Sequence, residues 1–276
     1  MPKFIVGARL HDYGKGSPDE LFGRVAADGF AAVQLAYKKC VPSVRSYADV
    51  TDALVAETVA AEKAHSIQVA VLGTYVELAI NDESRLKNAA DFKSQLAVCK
   101  ALGAGCIGTE TTSVEKQPAG TTREEAQELL CRSLADILPA AEALGVTVAV
   151  EPVTYHSMNS AAATRHILDT MRSPNLKVIF DMSNLVDAGN VGAQDRIWND
   201  VGELLGDQIV AVHFKGQAFA PDGGLLHTSL EDSLTDYAGA FAMLRQLPQN
   251  ALPVLREEAV PARAASDIAF MRGFFA

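Results

Sequence analysis

The sequence predicts an α/β protein in which eight short apolar strands alternate with helices, the pattern of a (β/α)8 barrel. The strand segments are almost continuously apolar and β-branched, which is typical of parallel strands covered by helices on both sides of the sheet. The segments between them are long enough to hold the crossover helices that parallel strands require. An open, doubly wound sheet would show the same alternation and is the alternative fold.

The eight strands are predicted from runs rich in Val, Ile, Leu and Ala between turn-forming residues. They cover residues 3–9, 31–36, 67–73, 105–110, 146–151, 176–181, 208–213 and 252–257. No linker or low-complexity segment separates these units, so we expect residues 1–276 to form one domain.

Several of the intervening helices carry clear start and stop signals. Ser17 and Glu20 form a capping box with Pro18 at the first helical position, and Gly29 closes this helix. The segment GAGCIG at 103–108 fits a dinucleotide-binding spacing, but a helix precedes it and a strand follows it. Its glycines are therefore interpreted as the end of a helix and the turn that leaves it.

Two later helices complete the pattern. Thr122 opens a helix that ends at Gly145, and Pro139 inside it is expected to kink or interrupt it. The C-terminal segment PARAASDIAFMRGFF is predicted as a last helix with proline near its start.

Composition excludes several classes of function. The chain has a net charge of −10, which argues against nucleic acid as its main partner, since such proteins usually present a basic face. The N-terminus lacks the apolar core of a secretory signal, and no run is long enough to span a bilayer. We therefore expect a cytoplasmic protein that binds neither membrane nor nucleic acid, with its four cysteines as mostly buried free thiols.

Charged or ionisable residues end four successive apolar strands in the second half of the chain. VTVAVE ends in Glu151, LKVIFD in Asp181, IVAVH in His213, and LPVLREE in Glu257 and Glu258. In a (β/α)8 barrel the carboxyl ends of the strands form the active-site mouth, so these side chains would converge there. Because side chains alternate along a strand, Glu257 and Glu258 cannot both face the barrel axis.

Clustered carboxylates would repel one another unless a cation lies between them. Carboxylate oxygens and one imidazole suit Mn²⁺, Mg²⁺, Co²⁺ or Zn²⁺, so the pattern predicts a site for one divalent metal. The alternative is that each residue is a separate rim residue, paired with a basic side chain or a helix N-terminus.

The motifs VAVEPVTYHSMNS, LKVIFDMSN, VAVHFKG and PVLREE occur in this order and resemble those of the xylose isomerase-like TIM barrels. That family includes sugar phosphate isomerases/epimerases such as D-tagatose 3-epimerase-type enzymes. The resemblance covers nearly the whole chain and implies that one metal is bound by Glu151, Asp181, His213 and Glu257. It also implies that Glu151 and Glu257 are the catalytic acid/base pair, acting on a sugar or sugar phosphate through an enediolate.

Further residues near the strand ends are candidates for substrate contact. Lys215 lies two residues beyond His213 and leans to the same face. His156 follows Glu151 in a segment where the family often has histidine. Glu110 ends the fourth strand, and Asn184 stands where many of the epimerases have histidine in D-x-x-H, so it can hydrogen-bond a hydroxyl but cannot shuttle a proton. Weaker candidates are His11 and Tyr75, whereas Arg256 is expected to face the barrel exterior.

Three other functions fit parts of the pattern. A metal-dependent lyase such as a keto-inositol dehydratase would use the same site, because an enediolate beside a leaving hydroxyl can eliminate water. A carbohydrate-binding barrel without turnover would have the same fold but no catalytic activity. Endonuclease IV-type DNA repair is disfavoured by the acidic charge and by Asn184 in place of a metal-binding histidine. A homo-oligomer is compatible with the pattern, but no interface is predicted.

Overall fold

The computed structural model describes residues 1–276 and contains a closed barrel of eight parallel strands. The barrel strands are β1 Lys3–Arg9, β2 Ala32–Leu35, β3 Gln68–Gly73, β4 Cys106–Glu110, β5 Val148–Glu151, β6 Leu176–Asp181, β7 Ile209–Phe214 and β10 Ala251–Arg256. β1 pairs with both β2 and β10, which closes the sheet. The predicted (β/α)8 barrel is therefore confirmed, and the open doubly wound sheet is excluded.

Helices surround the barrel and connect its strands. They are α1 Pro18–Ala27, α2 Tyr37–Cys40, α3 Asp52–His65, α4 Asp82–Ser94, α5 Leu96–Leu102, α6 Arg123–Leu144, α7 Ala161–Met171, α8 Gln194–Leu205, α9 Tyr237–Leu244 and α10 Ala264–Arg272. None of them is both long enough and apolar enough to cross a membrane.

The helix ends follow the signals in the sequence. The predicted capping box forms at Ser17, and Thr122 opens α6 as predicted, with a capping box of its own. Gly103 ends α5 in the left-handed conformation, with φ of 66°, so the GAGCIG segment is a helix stop as predicted. Cys40, Cys99 and Cys106 are buried free thiols, and Cys131 is partly exposed.

The expected interruption at Pro139 is wrong, because α6 continues through it to Leu144. A proline inside a helix costs about 3 kcal/mol through its missing N–H and its ring. Leu134, Ile137, Leu138 and Ala141 are buried on the same helix around this position. Their packing against the barrel offsets the local cost.

A two-stranded hairpin that was not predicted follows β7 at the mouth of the barrel. It consists of β8 Gly216–Phe219 and β9 Leu225–Thr228, paired antiparallel. The turn-forming segment PDGG at 221–224 is the sequence signal for it. A Cβ atom at Gly216 would lie 2.3 Å from the carbonyl oxygen of Ser229, so only glycine allows the two backbones to approach this closely.

Two apolar clusters are separated by the sheet. The larger one fills the space between the barrel and its helices. The smaller one fills the barrel interior with mostly small side chains: Ala32, Ala70, Val71, Cys106, Ala149, Ile179, Ala211 and Leu255. The interior core therefore identifies which strand positions face the axis.

Candidate metal centre at the barrel mouth

Because side chains alternate along each strand, the candidate residues all face the barrel axis. Ala149, Ile179, Ala211 and Leu255 belong to the interior core. Two positions further along each strand, at the mouth, come Glu151, Asp181, His213 and Glu257. Side chains two residues apart on a strand share a face, so the residues that fill the barrel also set the direction of the polar groups above them.

Glu151, Asp181 and His213 form a compact group of potential metal ligands. One donor atom of each lies within 4.8 Å of the others, and all three residues are buried. Nδ1 of His213 lies 3.1 Å from Oε2 of Glu151. The structure thus brings together three residues that are 30 or more positions apart in pairs along the sequence.

Glu257 adjoins this group from the last barrel strand. Its Oε1 lies 3.4 Å from Nδ1 of His213, and the residue is only 4% exposed. The neighbouring Glu258 has φ of 54° and a half-exposed side chain, which forms an ion pair with Arg9 at 2.8 Å. Of the two adjacent glutamates, Glu257 is therefore the one that faces the axis.

Backbone groups hold Asp181 in place. Its Oδ1 accepts hydrogen bonds from the backbone N–H groups of Ser183 at 2.7 Å and Asn184 at 2.9 Å. Its Oδ2 lies 3.0 Å from the ammonium nitrogen of Lys215. The carboxylate is thus oriented by the start of its own loop, which leaves Oδ2 directed into the site.

Lys215 and Asn184 connect the ligand candidates. The ammonium group of Lys215 donates to Oδ1 of Asn184 at 2.8 Å, and Nδ2 of Asn184 donates to Oε1 of Glu151 at 2.6 Å. Lys215 also lies 3.6 Å from Oε2 of Glu257. Both residues belong to the site itself, and each contacts candidate metal ligands.

Burial and neighbouring charges shift the pKa values of the site in opposite directions. Burial raises the pKa of Glu257, but His213, Lys215 and Arg9 outweigh this effect and lower the pKa to about 2. The pKa of Glu151 is raised, mainly by burial. Burial lowers the pKa of His213, but the carboxylates of Glu257 and Glu151 outweigh this and raise it to about 9. The carboxylates therefore favour a positive charge beside Nδ1 of His213.

These residues fit a divalent metal ion. Neither ring nitrogen of His213 has a hydrogen-bond partner of good geometry, although the ring is buried. Glu151, Asp181 and Glu257 bring three carboxylates together around His213, and Lys215 and the more distant Arg9 balance their negative charge only in part. Hard oxygen donors with one imidazole are a common ligand set for such ions.

The sequence profile of the xylose isomerase-like TIM barrels matches residues 22–273. The chain belongs to this family. The resemblance inferred from the four strand-end motifs is thereby confirmed. No curated protein sequence matches the chain.

Solved structures similar to this xylose isomerase-like barrel include epimerases and a zinc-binding protein. The 3-keto-D-glucoside 4-epimerase YcjR from E. coli is 17% identical, with a TM-score of 0.72 over 98% of this chain and all of that one. A D-tagatose 3-epimerase-like protein is 11% identical, with a TM-score of 0.77 over 98% and 96% of the chains. The IOLI protein, solved with a zinc atom, is 16% identical, with a TM-score of 0.76 over the same shares. At these identities the likeness shows the fold.

Glu110 and His156 occupy different parts of the mouth of this xylose isomerase-like barrel. Glu110 pairs in register with Glu151 across β4 and β5, and both line a small cavity with His213. Burial, and then Glu151, raise the pKa of Glu110 to about 7. His156 packs edge-on against Tyr155 in the loop after β5 and forms no hydrogen bond or ion pair with the four candidate ligands.

His11 and Tyr75 lie together at the opposite side of the mouth. Their rings meet edge to face at 5.7 Å between centroids. They are not remote from the candidate ligands, since Tyr75 lines the same small cavity as Glu151 and His213. Arg256 faces outward and forms a buried ion pair with Asp267 of α10 at 2.8 Å.

Two polar residues at the barrel mouth, Arg9 and Lys39, were not predicted as site residues from the sequence. Arg9 ends β1 and lies 3.9 Å from Glu257. Its sequence signal is the one used for the later strands, a charge that ends an apolar run, here KFIVGAR. Lys39 lies on the short helix α2, whose four residues give no periodic pattern from which its position could be predicted.

Proposed function

We propose that this chain is an isomerase/epimerase that depends on one divalent metal (Mn²⁺, Mg²⁺, Co²⁺ or Zn²⁺) and acts on a sugar or sugar phosphate through an enediolate. The observation that carries the proposal is the convergence of Glu151, Asp181, His213 and Glu257 in one buried site at the barrel mouth. The proposed ligands are these four residues. The epimerases among the structural neighbours support the proposal.

The bound ion would polarise a substrate carbonyl and stabilise negative charge that develops on it. Glu257 and Glu151 come from strands on different sides of β6 and β7, so they approach a shared ligand from two directions. One carboxylate can take the proton next to the carbonyl, and the other can return a proton from its own side.

Three further residues would position the substrate. Asn184 and Lys215 already hold the carboxylates, and both present polar atoms into the mouth. Glu110 lines the cavity beside Glu151, where it can accept a hydrogen bond from a hydroxyl group. We also propose His156 as a substrate contact, because its buried Nδ1 has no hydrogen-bond partner.

Proton exchange tests the proposal. Purified protein with Mn²⁺ is incubated in D₂O with a panel of ketoses, aldoses and their phosphates, and each sugar is followed by NMR and mass spectrometry. The expected result is replacement of one carbon-bound proton by deuterium, with every oxygen retained. Glu151→Gln and Glu257→Gln should each abolish exchange, because an amide cannot accept the proton.

Two outcomes would replace the proposal by another function. Loss of water from a substrate would show a lyase acting at the same site. Binding of a sugar without any exchange, unchanged by Glu151→Gln, would show a carbohydrate-binding barrel.

A further inference from the structure

A second cavity lies beside the candidate metal centre, at the ends of β2 and β3. Its volume is about 210 Å³, far more than the roughly 30 Å³ that one water molecule occupies in the liquid. Gly73 and Tyr75 line both this cavity and the small one that contains Glu151 and His213. The two cavities are therefore adjacent, and Tyr75 lies between them.

Two lysines of α2 line this cavity without a carboxylate partner. The ammonium nitrogen of Lys39 lies 3.2 Å from the ring centroid of Tyr75, and that of Lys38 lies 4.5 Å from the ring centroid of Tyr47. Neither forms an ion pair, although the chain has 34 acidic and only 24 basic residues. The aromatic faces hold the two ammonium groups in place without an ion-pair partner.

Tyr75 is held at the junction of the two cavities in an unusual conformation. Its φ of 53° is a left-handed conformation that costs a non-glycine residue about 1–3 kcal/mol, a strain often found at ligand sites. Its hydroxyl accepts a hydrogen bond from Nε2 of Gln34 at 2.9 Å. Oε1 of Gln34 is buried at the same junction and has no partner.

We propose that this second cavity binds the end of the substrate remote from the metal, and that this end carries a carboxylate or phosphate held by Lys39 together with Lys38. The inference rests on the proposed function and narrows its substrate class to anionic sugars. An anionic group would take charge-assisted hydrogen bonds from the two ammonium groups, which are stronger than the aromatic contacts they make without it.

The test compares ketoses that differ only at the remote carbon. Calorimetric titration of the Mn²⁺-loaded protein measures the Kd of D-fructose, D-fructuronate and D-fructose 6-phosphate, which carry a neutral, a carboxylate and a phosphate end. Inorganic phosphate and acetate are titrated as separate probes, so that a mismatch in sugar stereochemistry does not hide the anion site. The variants are Lys39→Met, Lys38→Met and, as a control, the exposed Lys100→Met on α5.

We expect at least one anionic probe to bind at least tenfold more tightly than its neutral counterpart, or, for the free ions, to bind measurably. Lys39→Met should remove most of that preference, Lys38→Met part of it, and Lys100→Met none. Preference for fructuronate and acetate would identify a carboxylate end, and preference for the phosphates a phosphate end. Equal binding of neutral and anionic ketoses without binding of free ions, or a preference that survives Lys39→Met, would overturn the inference.

Failure of this inference is distinguishable from failure of the proposed function. Deuterium exchange into neutral sugars with no preference for anions would contradict the anionic subsite and still support the isomerase/epimerase. Anion binding that depends on Lys39, without deuterium exchange in any sugar, would contradict the proposed isomerase/epimerase activity and still support the subsite.

Discussion

The ammonium nitrogen of Lys215 lies 3.0 Å from Oδ2 of Asp181, the carboxylate oxygen that accepts no hydrogen bond from the backbone of its own loop. Burial lowers the pKa of Lys215, but Asp181 and the two glutamates outweigh this and raise it, so the side chain remains charged. The same carboxylate therefore serves an internal cation and, in our proposal, an external one. The two cations share its charge.

Replacement of Lys215 by methionine should tighten metal binding and impair catalysis. Removing a positive charge next to the site leaves an additional negative charge for the ion, and charges about 4 Å apart near a protein surface interact by about 4 kcal/mol. Since solvent and relaxation reduce this value, we expect the metal Kd to fall about tenfold. Competition with a chelator measures it.

The matched control is Lys177→Met, on β6 but at the end remote from the mouth, where Lys177 bonds Gln208. An unchanged or weaker metal affinity in Lys215→Met would mean that Lys215 orients Asp181 rather than competing with the ion.

Removal of the metal should lower the thermal stability of the wild-type protein. An ion that binds only the folded state contributes about 2.7 kcal/mol at a concentration 100-fold above its Kd. Chelation should therefore lower the Tm, and Asp181→Asn or His213→Ala should abolish this response together with metal retention. Differential scanning calorimetry and elemental analysis measure the two effects. Full metal content in either variant would contradict the proposed site. Asp169→Asn, on the exposed face of α7, is the control and should leave both measurements unchanged.

Replacement of Asp267 by alanine should destabilise the fold strongly. Arg256 and Asp267 are both almost fully buried, and their ion pair fastens α10 to the strand that precedes Glu257. Breaking a buried pair leaves an uncompensated charge and costs about 3–5 kcal/mol. Urea unfolding at constant metal concentration measures the loss.

The exposed ion pair between Arg263 and Glu231 provides the comparison. Glu231→Ala should cost no more than about 1 kcal/mol, since solvent screens this pair. Similar losses in Asp267→Ala and Glu231→Ala would contradict the anchoring role of the buried pair.

Acid should destabilise the protein partly through His156. Burial and the nearby Lys116 lower the pKa of His156 from 6.5 to about 4 in the folded state. Below pH 6.5 the unfolded chain therefore binds a proton that the folded chain binds only near pH 4, so stability falls as the pH drops through this range. The contribution is about 3 kcal/mol in total.

His156→Asn should flatten the dependence of the unfolding free energy on pH between 6.5 and 4, whereas His166→Asn on the exposed side of α7 should leave it unchanged. Parallel pH profiles of wild type and His156→Asn, from urea unfolding, would show that His156 does not contribute.

Apolar runs and their punctuation predict most of the barrel. The eight strands lie within two residues of their predicted bounds, because their periodicity and turn signals are local properties of the chain. Pro139 is an exception. Its cost in helix stability is a local property, but the packing of the helix face against the barrel outweighs that cost, and no local signal predicts this packing.

The sequence by itself determined the succession of strands and helices, the family and the residue types at the strand ends, since each depends on local order and on alternation along a strand. Only the tertiary structure decided which of Glu257 and Glu258 faces the axis, and that Lys215 and Asn184 link the carboxylates. It also brought Lys39 and Tyr75 together beside the site. These are distances between segments far apart in the chain, and closure of the barrel, rather than any local preference, sets them.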